Sequence, residues 1–330
     1  MDIESYKLLE QLDLAAEFIS YKSPSKQRIA LILTDNAVEL IIHERCLHSL
    51  LEASREPTPE ANRIAAQEAA RVLRNHFKPK VSFLTRIGDI LEDENIFCTS
   101  AHSIRNTAYH SGLLHEDIMS AIVPRYHELA CDLAIRFESI SIIVGPNRTP
   151  PEIVSKYLPG PYKSYVSGRE ALLEITKSMT SIRGLQKIPL SHALSTSLLN
   201  HLDTLRGDLS YIHSGRNQQS DLSHTLREIQ YWHSLLVDAP YGSYNLADPI
   251  QKQQWELKLA QFKQTWIPKV SLKTIDSWER RARKLSLEKL PGRALNAYLQ
   301  LVKDMSDFSA TVDESVRALD EAVEMHLHDF

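Results

Sequence analysis

The sequence has few glycines, few cysteines and no long apolar runs. It contains 10 glycines and 3 cysteines among 330 residues. Little glycine and little strand-like alternation argue against a β-rich fold. Cys46, Cys98 and Cys131 are widely spaced and form no CxxC pair. This spacing argues against a disulfide framework and favours buried thiols in a reducing compartment.

Membrane-spanning and secretory signals are also missing from the sequence. No apolar segment approaches the roughly 18–20 residues that a membrane span needs. The first residues, MDIESYKLLEQLDL, are acidic and amphipathic, and they lack the basic region and apolar core of a signal peptide. We therefore expect a cytoplasmic protein that has no membrane partner.

A strong positive charge, which is common in nucleic-acid-binding proteins, is absent as well. The net charge is −4 at pH 7. Any contact with a phosphate backbone must therefore come from local basic clusters, because the protein as a whole does not attract anions.

The residues that are present favour helices. The sequence is 43% hydrophobic and 24% charged, which is ordinary for a globular protein. Leu, Ala, Glu and Arg recur at helical spacing, and residues 27–53 form the clearest long helix. Its expected apolar stripe consists of Ile29, Leu33, Val38, Leu40, Ile41, Leu47 and Leu51. These patterns predict an all-α fold.

A segment rich in proline and glycine divides the chain. Residues 145–165 hold five prolines and two glycines, which is typical of an inter-domain linker or an ordered strap. We therefore predict a helical domain over residues 1–144, a linker over 145–165 and a second helical domain over 166–330. Near-heptad spacing over 291–327 predicts an antiparallel bundle or a coiled-coil-like arrangement in the second domain.

Most catalytic and metal-binding motifs are absent. The sequence contains no glycine-rich phosphate loop, no HExxH, no GxSxG and no cluster of His and Cys. His43 and His48 lie five residues apart, so on a helix they point about 140° apart and chelate poorly. We therefore expect no metal and no cofactor.

One motif remains, IRNTAYHSG at residues 104–112, in which Arg105 and Asn106 are followed by His110. An Arg separated from a His by four to six residues occurs four times in the chain, so the spacing alone decides nothing. The setting is more informative. LILTDNAVELIIHERC lies upstream, FKPKVSFLTRIGDILEDENIF precedes the motif, and HEDIMSAIVPRYHELACDL follows it. In order and spacing, residues 1–140 resemble the HEPN domain, a family of small helical ribonucleases and their inactive relatives.

The resemblance implies a HEPN-like helical bundle and a metal-independent endoribonuclease. It places Arg105, Asn106 and His110 at the cut site and implies that RNA is the substrate. It also implies a homodimer through the N-terminal domain, with two motifs facing one cleft, and a role as a toxin or an antiviral defence effector. An antitoxin or a sensor protein is then an expected partner. The C-terminal half would serve as a sensor, a restraint or a docking module.

The chemistry agrees with these side chains. Cleaving RNA without a metal requires removing a proton from a 2′-hydroxyl, neutralising charge on the phosphate and protonating the leaving 5′-oxygen. A histidine side chain ordinarily titrates near neutral pH, so a histidine at position 110 is suited to act as base or acid. Arg105 offers a charged fork for phosphate oxygens, and Asn106 can orient either group. The products would be a 2′,3′-cyclic phosphate and a 5′-hydroxyl.

Further polar residues are candidates for supporting roles. Asp35, Asn36 and Glu39 on the first long helix are placed to reach Arg105 or His110, where a carboxylate would hold the Arg or raise the pKa of the His. A polar patch on the helix surface or in a dimer contact is the alternative for these three residues.

Two basic clusters and one tyrosine are weaker candidates for substrate binding. Arg71, Arg74, Lys78 and Lys80 lie close in sequence to the motif and could position the substrate. Tyr109 would either pack or stack on a base. The segment WERRARK (278–284) could grip RNA beside Trp278, or form a solvated helix face.

Two other classes of function stay open on the sequence. One is a catalytically inactive HEPN-like helical adaptor or nucleotide-binding regulatory protein. The other is a coiled-coil scaffold built on the last helices.

Overall fold

Helices dominate the described part of the chain. The computed structural model describes residues 3–21, 23–55, 67–68, 70–111, 116–137, 143–144, 151–158, 166–167, 169–181, 189–216, 221–238 and 248–328. Its helices are α1 (Ile3–Ser20), α2 (Pro24–Arg55), α3 (Phe77–Arg86), α4 (Glu92–Ser111), α5 (Glu116–Arg136), α6 (Glu152–Tyr157), α7 (Arg169–Ser181), α8 (Leu190–Arg216), α9 (Leu222–Asp238), α10 (Pro249–Thr265), α11 (Leu272–Leu285) and α12 (Pro291–His328). The predicted all-α class is confirmed. Among the described helices, none has both the length and the apolar character of a membrane span.

The chain forms two compact units. The first comprises Met1–Leu194 and Leu287–Ala297, and the second comprises Ser195–Ser286 and Tyr298–Phe330. This division differs from the predicted boundaries at residues 144 and 166. The first unit continues through α7 because that helix buries apolar side chains and packs against α1, α5 and α6. The buried apolar residues of α7 are Ala171, Leu172, Ile175 and Met179.

The described part of the predicted linker is ordered. Helix α6 lies inside residues 145–165 and contacts α1, where Lys156 Nζ bonds Asp13 Oδ2 at 2.6 Å and the Tyr157 hydroxyl donates to the same carboxylate. The two-residue strands β1 (Ile143–Val144) and β2 (Val166–Ser167) pair antiparallel on either side of it. Residues 145–150 and 159–165 lie outside the described residues. The described portion therefore resembles the ordered strap more than a free linker.

Helix α2 is central to the first unit, since it packs against α1, α3, α4 and α5. Val38 and Ile41 of the predicted stripe are buried, whereas Leu40 and Leu47 are 48% and 42% exposed. Ile29 and Leu51 are exposed as well. Part of the predicted stripe therefore faces solvent. The buried face of α2 includes small and polar residues that the apolar pattern did not indicate. These are Gln27, Ala30, Thr34, Asp35, Ala37 and Cys46.

Helices α3 and α4 bring the motif against α2. A turn separates them, where Gly88 adopts φ 86°, a left-handed conformation that suits glycine. Helix α4 then begins with Glu92, Asp93 and Glu94, whose carboxylates favour a helix N-terminus. It runs without a break to Ser111. Arg105 and Asn106 therefore lie on a long, regular helix.

The second unit is a bundle held by heptad-like stripes. Helix α8 buries leucines at 198, 202, 205 and 209, and α12 buries Leu301, Met305, Phe308 and Val312. Helix α11 is antiparallel to both, since its contacts run backwards along α11 as they advance along each of the other two helices. With α8 they are Ser195–Ala282 and Arg206–Asp276, and with α12 they are Asp304–Arg281 and Phe308–Trp278. Helices α8 and α12 run parallel to each other, because their contacts advance together along both chains. These contacts are Ser197–Tyr298, His201–Ser309 and Tyr211–Asp320.

The three cysteines are buried and free, as the sequence predicted. Burial raises the pKa of the Cys46 thiol to about 12. Burial also raises the pKa of Cys98 and of Cys131. At neutral pH the three thiols are therefore protonated packing groups and not nucleophiles.

Candidate functional site

Arg105 is held between α4 and α2. Its Nη2 donates to Asn36 Oδ1 at 2.8 Å, and its Nη1 donates to Asn106 Oδ1 at 2.9 Å. Its Nε lies 3.4 Å from Asp35 Oδ2, close enough for an ion pair, but among the described residues the buried Nε has no hydrogen-bond partner. Two amide oxygens therefore fix the guanidinium plane, and among the described residues the second N–H of each Nη atom has no acceptor.

Asp35 is a fully buried carboxylate beneath Arg105. The Tyr126 hydroxyl donates to its Oδ1 at 2.8 Å, while its Oδ2 accepts from His102 Nδ1 at 3.0 Å. A buried carboxylate needs such partners, because burial removes the water that would otherwise stabilise its charge. Asp35 thus links the core residue Tyr126 to two cationic side chains on α4.

His102 lies one turn before Arg105 on the same helix. Its Nδ1 is 3.0 Å from Asp35 Oδ2 and 3.2 Å from Glu39 Oε1. The hydrogen bond to Asp35, followed by that to Glu39, raises the pKa of His102 to about 9. The reciprocal hydrogen bond from His102 lowers the pKa of Glu39. The His102 ring also stacks on Phe77, with centroids 4.6 Å apart, so both its plane and its charge are fixed.

These side chains line an open cleft of about 750 Å³. Among the described residues that line it, the cationic groups are Arg105, His102 and Lys80, and the one carboxylate is that of Glu39. The remaining lining is polar or apolar and comes from α1, α2, α3 and α4 and from the residues just before α3. The full lining is Gln11, Asn36, Glu39, Leu40, His43, Asn75, His76, Phe77, Lys80, His102, Arg105 and Asn106.

His43 differs from His102 in its charge state. Burial, followed by the nearby charge of Lys80, lowers the pKa of His43. The same cleft therefore contains a neutral imidazole and a protonated one at neutral pH. Environments that push two pKa values apart are typical of acid–base sites.

Most of the predicted polar residues come together in this cleft. Asn36, Glu39, Arg105 and Asn106 line it, and Asp35 lies behind Arg105. Asp35 and Asn36 do reach Arg105 across the bundle. Glu39 instead pairs with His102, which sequence reasoning did not single out.

The four basic residues at positions 71, 74, 78 and 80 do not all lie in the same cavity. Lys80 lines the cleft. Arg71 and Arg74 line a neighbouring surface cavity of about 440 Å³, which shares Asn75 with the cleft. Lys78 is exposed and lines neither. Within the described part of the chain, none of these four side chains forms an ion pair with a carboxylate.

Tyr109 and His110 are described only by their backbone. Helix α4 includes both, so His110 lies one helical turn after Asn106. Their side chains, with those of residues 108–111 generally, lie outside the described residues. The predicted catalytic role of His110 therefore stays a prediction.

His102 is the main functional candidate that the sequence did not reveal. Its spacing offered a signal, because residues three apart share a helix face and His102 precedes Arg105 by three. Asp35 and Glu39, four apart on α2, are likewise on one face. Tyr126 offered no signal, since a buried tyrosine is usual in a core.

Three side chains could hold a divalent cation. The ligand atoms of Asp35, Glu39 and His102 lie within 4.8 Å of one another, the one such group among the described residues. The position of Arg105 opposes a metal at this place, because its guanidinium Nε lies 3.4 Å from the same Asp35 oxygen that would bind the cation. An ion-pair network is the better description of these residues.

The second basic cluster is not arranged to stack on bases. Trp278 is 5% exposed and packs against Phe308. Arg281 pairs with Asp304 at 2.7 Å, and Arg283 pairs with Glu279 at 2.7 Å. A solvated helix face explains this segment.

Comparisons with protein-family models, with curated proteins and with solved structures give no match to this chain. The likeness to HEPN domains therefore depends on the motif and its setting in the sequence.

Proposed function

We propose that the protein is a metal-independent endoribonuclease of the HEPN type, which acts as a toxin or an antiviral defence effector. The observation that supports this proposal most is the fixed orientation of the Arg105 guanidinium in the cleft. Its guanidinium is fixed by Asn36 and Asn106 and lines an open cleft, and among the described residues Nη1 and Nη2 each have a single hydrogen-bond acceptor. A preorganised guanidinium in a cleft is suited to bind and stabilise a phosphate group.

In this proposal the scissile phosphate lies against Arg105. Lys80, which has no carboxylate partner among the described residues, adds positive charge along the RNA backbone. Asn106 orients the guanidinium, and His110 removes the proton of the 2′-hydroxyl. The attack gives a 2′,3′-cyclic phosphate and a free 5′-hydroxyl.

The proposal includes a homodimer through the first unit. Exposed leucines on α2 support it, because Leu40, Leu47 and Leu51 recur at near-heptad spacing on one side of that helix. Leu40 also lines the cleft. A second copy packed on this strip would stand close to the proposed cut site.

The proposed toxicity is tested by expression in bacteria. We expect the wild-type chain to slow growth and fragment total RNA, and His110→Ala to do neither. His48→Ala is the matched control, because His48 is an exposed histidine on α2 whose partners among the described residues, Glu52 and Arg45, lie on the same helix. This control should behave as wild type.

Equal growth and intact RNA for wild type and His110→Ala would contradict the nuclease proposal. That outcome would favour the inactive adaptor or nucleotide-binding regulator. Cleavage that stops when EDTA is added would instead contradict the metal-independent mechanism.

A further inference from the structure

Cleavage of RNA needs two proton transfers, and the proposed function assigns only one of them. The 2′-hydroxyl must lose a proton to a base, and the leaving 5′-oxygen must gain one from an acid. His110 is assigned to the first transfer. Arg105 cannot supply the second, since a guanidinium does not deprotonate at physiological pH.

His102 has the geometry of a general acid in the same cleft. Its Nδ1 is committed to Asp35 and Glu39, at 3.0 and 3.2 Å. Its Nε2 has no hydrogen-bond partner among the described residues, and its ring lines the cleft beside Arg105. A carboxylate on Nδ1 fixes the tautomer and leaves Nε2 as the reacting nitrogen.

We propose that His102 is a second catalytic histidine, which donates its Nε2 proton to the leaving 5′-oxygen of the RNA. This inference rests on the proposed ribonuclease function. It adds that one subunit supplies both proton-transfer groups, so the acid does not have to come from a partner copy.

The 2′-oxygen loses its proton to His110 and forms a bond to phosphorus, while the bond from phosphorus to the 5′-oxygen breaks. The electron pair of that bond stays on the 5′-oxygen, which takes the proton from His102 Nε2. His102 is then neutral, with its remaining proton on Nδ1 and hydrogen-bonded to Asp35. It regains an Nε2 proton from water, and His110 releases its added proton to water.

The surroundings keep His102 in its acid form. The hydrogen bonds to Asp35 and Glu39 raise its pKa to about 9, against the opposing effect of burial. Because the protonated form is the active one, cleavage should be independent of this group at neutral pH and fall as the pH rises through about 9. The other titratable or charged groups around the cleft are Lys80 and His76 near α3, His43 on α2, Arg105 on α4, and Tyr126 on α5 behind Asp35.

The test uses two RNA oligonucleotides that differ only at the cleaved linkage, after that linkage has been mapped with the wild-type protein. One has the natural 5′-oxygen, and the other has a bridging 5′-sulfur, whose thiolate leaves without protonation. We expect His102→Gln to slow cleavage of the natural RNA about 10²–10⁴-fold and that of the 5′-sulfur RNA less than tenfold. His110→Ala should slow both, and His48→Gln should slow neither.

A second variant covers a failure of His102→Gln to fold. Glu39→Gln removes one of the two carboxylates on His102 and leaves the imidazole in place. It should move the alkaline limb of the pH–rate profile to lower pH, which a purely structural role of Glu39 would not do.

Different failures of this experiment have different meanings. If His102→Gln slows both RNAs equally, or slows neither, His102 is not the acid although the enzyme is a ribonuclease. An alkaline limb that Glu39→Gln leaves unmoved also overturns the assignment. If the wild-type protein cleaves neither RNA, the proposed function itself fails and the inference falls with it.

Discussion

At the scale of single residues, the positions of the cationic side chains in the cleft depend on Asp35. Its side chain is fully buried, and it accepts from Tyr126 on one oxygen and from His102 on the other. Arg105 lies 3.4 Å from that second oxygen. A buried carboxylate that loses one of its partners cannot recover the lost interaction from water.

Tyr126→Phe tests this dependence. It removes the hydroxyl that donates to Asp35 and leaves the ring packed against Phe97. We expect the free energy of unfolding to fall by roughly 1–3 kcal/mol, because one carboxylate oxygen is left unsatisfied in the core. Urea denaturation followed by circular dichroism measures the change.

Tyr211→Phe is the matched control for that measurement. Tyr211 also donates to a carboxylate, that of Asp320, but it does so on the surface, where water replaces the lost bond. We expect little change in this variant. Equal losses of unfolding free energy in the two variants would mean that the buried hydrogen bond to Asp35 contributes no more to stability than an exposed one.

At the scale of helices, one close approach holds the start of α12 in the first unit. The Asp93 carboxylate of α4 accepts from the backbone N–H groups of Gly292 and Arg293, at 3.0 and 2.9 Å. A carboxylate at a helix N-terminus satisfies free N–H groups and interacts favourably with the helix dipole. The approach requires glycine, since a Cβ at residue 292 would lie 2.0 Å from Asp93 O.

Gly292→Ala should therefore destabilise the protein. We expect a loss of roughly 1–3 kcal/mol in the free energy of unfolding, because the backbone of α4 or α12 must shift to accept the methyl group. The control is Gly207→Ala within α8, where an added Cβ meets nothing within 4 Å. That change should stabilise by about 0.5–1 kcal/mol through helix propensity. If both changes stabilised the protein, the backbone of residue 292 would have room for a Cβ beside Asp93, contrary to this structure.

The sequence predicts the helices better than their faces and contacts. The long helix near residues 27–53 is present as α2, yet Leu40 and Leu47 are exposed where a buried stripe was expected. Periodicity reports apolar residues but not which neighbour covers them. Asp35 is the opposite case, a charged side chain that is buried. A carboxylate on a helix is expected at the surface unless the partners that would satisfy it in the core are known. Those partners, Tyr126 and His102, are 91 and 67 residues away in the chain.

At the scale of the whole molecule, the proposed homodimer accounts for the apolar strip on α2. Leu40, Leu47 and Leu51 are 48%, 42% and 45% exposed. Exposed leucines in a row on one helix are typical of a surface that another helix covers. A dimer formed there would join two clefts, which agrees with the two facing motifs that the family resemblance implies.

Leu47→Glu should weaken that dimer. A carboxylate buried in an apolar contact loses its hydration, so we expect the dissociation constant to rise at least about tenfold, equivalent to about 1.4 kcal/mol. Sedimentation equilibrium measures it. Leu257→Glu is the control, since Leu257 is 60% exposed on α10 in the second unit and should leave the dimer intact. A wild-type chain that sediments as a monomer at all concentrations would contradict the dimer.

The most direct test of the proposed mechanism is the chemistry of the RNA ends. Purified protein is incubated with RNA in excess EDTA, and mass spectrometry identifies the termini of the fragments. We expect 2′,3′-cyclic phosphates from the wild type, and at least about a hundredfold slower release from Arg105→Lys, because lysine cannot present two parallel N–H groups to a phosphate. Arg125→Lys, which alters an exposed ion pair with Glu128, should cleave as wild type. Intact RNA with the wild type, or fragments ending in 3′-hydroxyls, would contradict the proposed mechanism.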